Sequence, residues 1–77
     1  MTITCGLHAR LSRNIRARRL YLGMTQQQLA EVTGLYAPDI SAFEAGKKEP
    51  RLETVSVIAK GLNIRPEELL SLDLSES

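Results

Sequence analysis

The residues QQQLAEVTGLYAPDISAFEA, positions 26–45, decide how this chain folds. Two short helical patterns flank a single glycine. Leu29, Ala30 and Thr33 share one face of the first, and Ile40, Phe43 and Glu44 share one face of the second. Helices joined this tightly need a small residue where their axes cross, and Ala30 stands at the expected crossing. The connection needs a residue with positive φ, which Gly34 supplies without a Cβ penalty.

Outward from this pair, the pattern predicts three more helices. The first covers about residues 7–22, where Leu7, Leu11 and Ile15 step by four and Leu22 returns to the same side. Arg19 continues that stripe where another leucine is expected, and Gly23 ends the helix. Thr25 caps the second helix, residues 26–33, with Gln28 placed for a capping box. The third covers residues 37–45, with Pro38 tolerated in its first turn and Asp39 suited to the helix dipole. Gly46 stops it, and Lys47, Lys48, Glu49, Pro50 and Arg51 form a polar loop. The fourth covers residues 52–62, with an inner stripe of Leu52, Val55, Ile58, Ala59 and Leu62. Gly61 near its end costs about 1 kcal/mol against alanine unless it marks close packing. Pro66 starts a fifth helix, EELLSL, and residues 73–77 read as a frayed tail. The expected fold is all-α, with no strand pattern or internal repeat. Its central pair is the sequence form of a helix-turn-helix, whose second helix enters the major groove of DNA.

Composition narrows the class. Seventy-seven residues, 43% of them apolar, suit one small globular domain, compact and helical or gaining from oligomerisation. The single cysteine permits no disulfide within the chain. The start, MTITCGLHAR, is not patterned as a signal peptide, and no apolar run reaches membrane-spanning length, so a cytoplasmic location is expected. Residues 1–51 hold eight Lys/Arg against four acids, whereas residues 52–77 hold two against five. This asymmetry suits a basic working surface and a separate acidic end, although solvated charge accounts for it equally. Cys5 and His8 have a ligand-like spacing, but too few ligands lie nearby for zinc. No metal site or cofactor is expected. With His8 the sole histidine, no nucleophile–base constellation or glycine-rich phosphate loop suggests an enzyme.

Gln26, Gly34, Ile40 and Phe43, together with the flanking helices, resemble the phage-repressor/Cro family, also called XRE-type helix-turn-helix proteins. The resemblance covers about residues 11–72, through RNIRARRLYLGMTQQQLAEVTGL, ISAFEAGKKEPRLETVSVIAKGLNI and RPEELL. It implies a compact five-helix, lambda-repressor-like DNA-binding domain. The small restriction–modification controller proteins have this size and layout, and free-standing phage repressors and antitoxins are similar. In similar proteins an arginine late in the first helix pairs with the glutamate ending the third. Here these are Arg19, on an apolar stripe, and Glu44, one turn from Ile40. Each charge alone would be badly desolvated, so pairing is favoured over both reaching solvent.

The resemblance also implies contacts with DNA. Gln26 is expected to donate to a phosphate at a helix N-terminus. Lys47, Lys48 and Arg51 are expected to meet the backbone, and Arg16 or Arg13 an adjacent phosphate; the alternative for each is solvated surface. Base readout is expected from Pro38, Ser41, Ala42 and Ala45, opposite the core side of the third helix, and from Ala37 at its tip. Tyr36 replaces the usual small polar cap and is expected to stack or donate near the backbone. The chain departs from the family here, because these positions commonly carry Gln, Arg, Asn or Lys. Asp39 would even repel phosphates. Readout then rests on thymine methyls, Ser41 and DNA shape, or the motif serves as an antitoxin- or antirepressor-like scaffold for docking an unidentified protein. Leu69, Leu70, Leu72 and Leu74 are too many for one short helix to bury, although Leu69, with or without Leu72, closes the core. A homodimer interface is therefore expected at Ile64, Leu69, Leu70 and Leu72. The resulting expectation is a sequence-specific double-stranded DNA-binding transcriptional regulator, acting as a homodimer on a palindromic operator.

Overall fold

A computed structural model of the chain describes residues 3–71, with side chains described for residues 10–70. Five helices follow in order: α1 (Ile3–Tyr21), α2 (Gln26–Thr33), α3 (Ala37–Glu44), α4 (Leu52–Gly61) and α5 (Pro66–Ser71). No strand occurs among the described residues. The fold is all-α, and its helix-turn-helix is α2 and α3. The Thr25 hydroxyl accepts the Gln28 backbone N–H at 3.0 Å while the Gln28 side chain accepts the Thr25 N–H at 2.8 Å, a complete capping box. Gly34 turns the chain into α3 at φ 76°.

The core gathers apolar side chains from every helix: Leu11 and Ile15, Leu29 and Ala30, Ile40 and Phe43, Val55, Ile58 and Ala59, then Leu62 and Leu69. α2 packs on α3 and α4, while α1 packs on α3 and α5. Three sequence expectations need correction. α1 begins before residue 7, and its stripe does not reach Leu22, which is 38% exposed. The helix ends at Tyr21, and Met24 from the following turn packs on the core instead. Leu52 is 73% exposed rather than part of the inner stripe of α4. It begins the helix, roughly 70° from the centre of the Val55–Ile58–Ala59–Leu62 stripe at about 100° per residue. Leu69 is wholly buried within the single chain, so it belongs to the core and not to a dimer interface. Burying such a side chain contributes about 1.5–3 kcal/mol, and among the described side chains of α5 it is the one fully buried, with Leu70 partly buried against the core.

Polar contacts fix how the helices sit. The buried Asn14 donates from Nδ2 to the Leu69 carbonyl at 2.9 Å, tying α5 to α1. Arg18 donates from Nε to the Leu62 carbonyl at 3.0 Å and from Nη2 to the Asn63 carbonyl at 3.2 Å. These are carbonyls that the end of α4 leaves without helical partners. Gly61 is where α4 meets α2: an added Cβ would lie 2.6 Å from Thr33 Cγ2 and 3.2 Å from Val32 Cγ2. Its cost in helix propensity is thus offset by a close approach of the two helices.

Candidate nucleic-acid interface

α3 carries Ile40 and Phe43 into the core, which turns Pro38, Ser41 and Ala45 to solvent, with Ala42 partly exposed. Ala37 does not project freely: it is partly buried and packs on the core at the α2–α3 turn. Tyr36 occupies the N-cap position, makes no side-chain capping bond and is 75% exposed. The exposed face of this helix therefore carries methyls, a proline ring and one hydroxyl.

Behind it, Arg19 and Glu44 meet in a two-pronged ion pair. Arg19 Nε donates to Glu44 Oε2 at 2.6 Å, and Nη2 donates to Oε1 at 2.9 Å. The side chains are 9% and 4% exposed, so this pair is largely removed from water. Arg19 Nη1 donates to the Met24 carbonyl at 2.7 Å, using another prong to hold the turn before α2. The hydrogen bonds to Glu44 raise the Arg19 pKa, outweighing the opposite effect of burial. Glu44 has a further partner in Gln26, whose Nε2 donates to Oε1 at 3.1 Å. One carboxylate therefore links the end of α1, the start of α2 and the end of α3.

Over this network lies an open cleft of about 220 Å³, lined by Arg16, Gln26, Ser41 and Ala45 with Arg19 and Glu44. The structure thus brings together residues expected at phosphates (Arg16, Gln26) and at bases (Ser41, Ala45). Lys47 and Lys48 follow α3 in a turn made possible by Gly46 at φ 75°, and both backbone N–H groups donate to the Ala42 carbonyl. Arg51 is exposed at the N-cap of α4. Arg16, Lys47 and Arg51 have no ion pair among the described residues. Lys48 differs, because its Nζ lies 3.0 Å from Asp39 Oδ1 and 5.9 Å from the Phe43 ring centre.

The Asp39–Lys48 pair and the Gln26–Glu44 bond were not read from the sequence. Asp39 and Lys48 stand nine positions apart, and only the reversal at Gly46 brings them together. Ile64 and Leu70, expected at a dimer interface, are partly buried and pack against the core, while Leu72 and Leu74 lie outside the described residues. The side chains of Cys5 and His8 lie outside them too, as does the tail at residues 73–77. Among the described residues, no group of three or more His, Cys, Asp or Glu is placed to hold a metal, and no helix is long and apolar enough to cross a membrane.

Residues 15–69 match the family model for the helix-turn-helix, which covers more than half of the chain. This chain belongs to the helix-turn-helix family. Relatives within the reach of that match include the control protein C.SmaI of Serratia marcescens, 34% identical over 61 residues, 79% of this chain and 73% of the relative. Among solved structures, the DNA-binding domain of the P22 C2 repressor superposes with a TM-score of 0.82 at 33% identity, covering 91% of this chain and 92% of that domain. The restriction–modification controller C.Esp1396I, solved as a tetramer with its natural 35 base-pair operator, superposes with a TM-score of 0.80 at 30% identity, covering 88% of this chain and 93% of that one.

Proposed function

We propose that this chain is a transcriptional regulator that binds double-stranded DNA with sequence specificity, as a homodimer on a palindromic operator. The observation that carries this reading is the exposed face of α3 flanked by Arg16, Lys47 and Arg51, three cations with no ion pair among the described residues. Family membership supports it, as does a related controller solved on its operator. In this reading Gln26, Arg16, Lys47 and Arg51 position the protein on phosphates, while Tyr36, Pro38, Ser41 and Ala42 meet the groove. Lacking long donors there, the protein reads thymine methyls and DNA shape more than hydrogen-bonding edges. A dimer would set two α3 helices about one DNA turn apart and match a two-fold sequence.

Selection of bound duplexes from a random pool, followed by salt titration of the winner, tests the proposal. The expected outcome is a two-fold symmetric consensus bound with steep salt dependence. Gln26→Ala, Lys47→Ala and Arg51→Ala should weaken binding to all sequences, each lost cation lowering the salt slope by about one. Absence of binding to any duplex at low salt would sink the proposal and leave protein docking as the use of the motif.

A further inference from the structure

We propose that Asp39 sets the DNA affinity of this protein by cancelling the charge of Lys48, so that Lys48 adds nothing to net phosphate neutralisation. The inference rests on the DNA-binding reading above. Asp39 lies in the first turn of α3, and Lys48 in the turn that follows the helix. The chain reversal at Gly46 returns Lys48 along the flank of α3, where Nζ lies 3.0 Å from Asp39 Oδ1 and over the Phe43 ring. The carboxylate contacts the ammonium directly, and the Phe43 ring centre lies 5.9 Å from it. Both side chains keep access to solvent, at 35% and 55% exposure, so the pair lies at the surface beside α3 rather than beneath it.

The electrostatic consequence follows from counting charge. Each phosphate neutralised releases condensed counterions and adds about 0.9 to the slope of log K against log salt. A lysine already matched by a carboxylate brings no net charge to the interface, whether it stays on Asp39 or bridges Asp39 and a phosphate. Arg16, Lys47 and Arg51 have no ion pair among the described residues and keep their full effect. Sequence-independent binding depends mainly on such charges, so Asp39 lowers affinity for every duplex and leaves a larger share of recognition to the groove face of α3. Exposed ion pairs contribute little to folding, so removing this one should leave the fold intact and expose its effect on binding.

The test measures binding of a selected duplex and a scrambled duplex across 50–200 mM salt for the wild type, D39N, K48A and the D39N/K48A double variant. Circular dichroism confirms that each is folded. D39N should bind both duplexes more tightly and steepen the slope by about 0.9, an added loss of about threefold over that salt range. The D39N/K48A double variant, which loses one charge of each sign, should keep the wild-type slope, about 0.9 below that of D39N, whereas K48A alone leaves the Asp39 carboxylate uncompensated and should bind both duplexes more weakly than the wild type. The proposal is overturned if the double variant falls below the wild-type slope by as much as Lys47→Ala does, because Lys48 would then neutralise a phosphate despite Asp39. It is also overturned if D39N leaves the wild-type affinity and slope unchanged, because Asp39 would then offset no charge at the interface. A wild type that binds neither duplex removes this inference and the DNA-binding reading together. A wild type that binds while D39N leaves its slope unchanged, or while the double variant lowers it, removes this inference alone.

Discussion

Glu44 accepts three side-chain hydrogen bonds, two from Arg19 and one from Gln26, in a place almost closed to water. Removing either member of the ion pair strands the other, so Arg19→Ala and Glu44→Ala should each lower unfolding free energy by about 3 kcal/mol in urea titrations. The double variant should cost clearly less than the sum; purely additive losses would show that the pair is not coupled. Because folding raises the Arg19 pKa, its share of this stability is complete below its ordinary, strongly alkaline value and is lost only as pH rises through the raised one. Titration of Arg19 should therefore leave no mark on stability across neutral pH. Ala42 is the residue-scale test of how α3 is aimed. It is partly exposed beside the groove face, and Ala42→Arg should add a long donor and shift the selected consensus, for instance toward guanine. An unchanged consensus and affinity would mean that this side of α3 does not face the bases.

Between elements, α4 approaches α2 closely at Gly61. Alanine there gains about 1 kcal/mol in helix propensity but drives a methyl into Thr33 Cγ2. Thr33 cannot easily rotate away, because its hydroxyl donates to the Leu29 carbonyl at 2.8 Å and the side chain is β-branched. Overpacking costs about 1–3 kcal/mol, so Gly61→Ala should destabilise the fold in thermal unfolding despite the propensity gain. Thr33→Ser removes the obstructing methyl and keeps the hydroxyl, and in that background the loss should fall below about 1 kcal/mol. An equal loss in both backgrounds would place the strain elsewhere. The same helix, α4, is tied at its end by Arg18, as α5 is tied to α1 by Asn14, so the helices behind the helix-turn-helix are held by directed bonds as well as by packing.

For the whole molecule, self-association is the property on which the proposed operator symmetry depends. Leu69 is committed to the core, which leaves Ile64 and Leu70, each partly exposed, as the described apolar candidates near α5. Leu70→Glu should convert the protein to monomers in sedimentation while retaining helical circular dichroism. Ile64→Lys provides a second probe should the first variant unfold. Dimers persisting in a folded Leu70→Glu protein would move the interface to another surface. Loss of dimerisation should also weaken a palindromic duplex far more than a single half-site, which gel-shift titration resolves.

By itself, the sequence determined the five helices, the capping box at Thr25 and the turn at Gly34, because each depends on residues within a few positions of one another. Its apolar period also located most of the core and marked Arg19 as a charge on a buried stripe. Only the tertiary structure decided which helix ends lie under cover: Leu22 falls past the last residue of α1 and Leu52 stands at the first residue of α4, to one side of its inner stripe, and both stay exposed. It alone took Leu69 out of the expected interface: the sequence allowed that leucine both roles, and its complete burial where α5 sits against Asn14 leaves only the core. It alone joined Gln26 to Glu44 and Lys48 to Asp39, and with them the charge presented by the α3 face. Contacts between residues distant along the chain follow from the angles at which helices cross and reverse, and no local period records those angles.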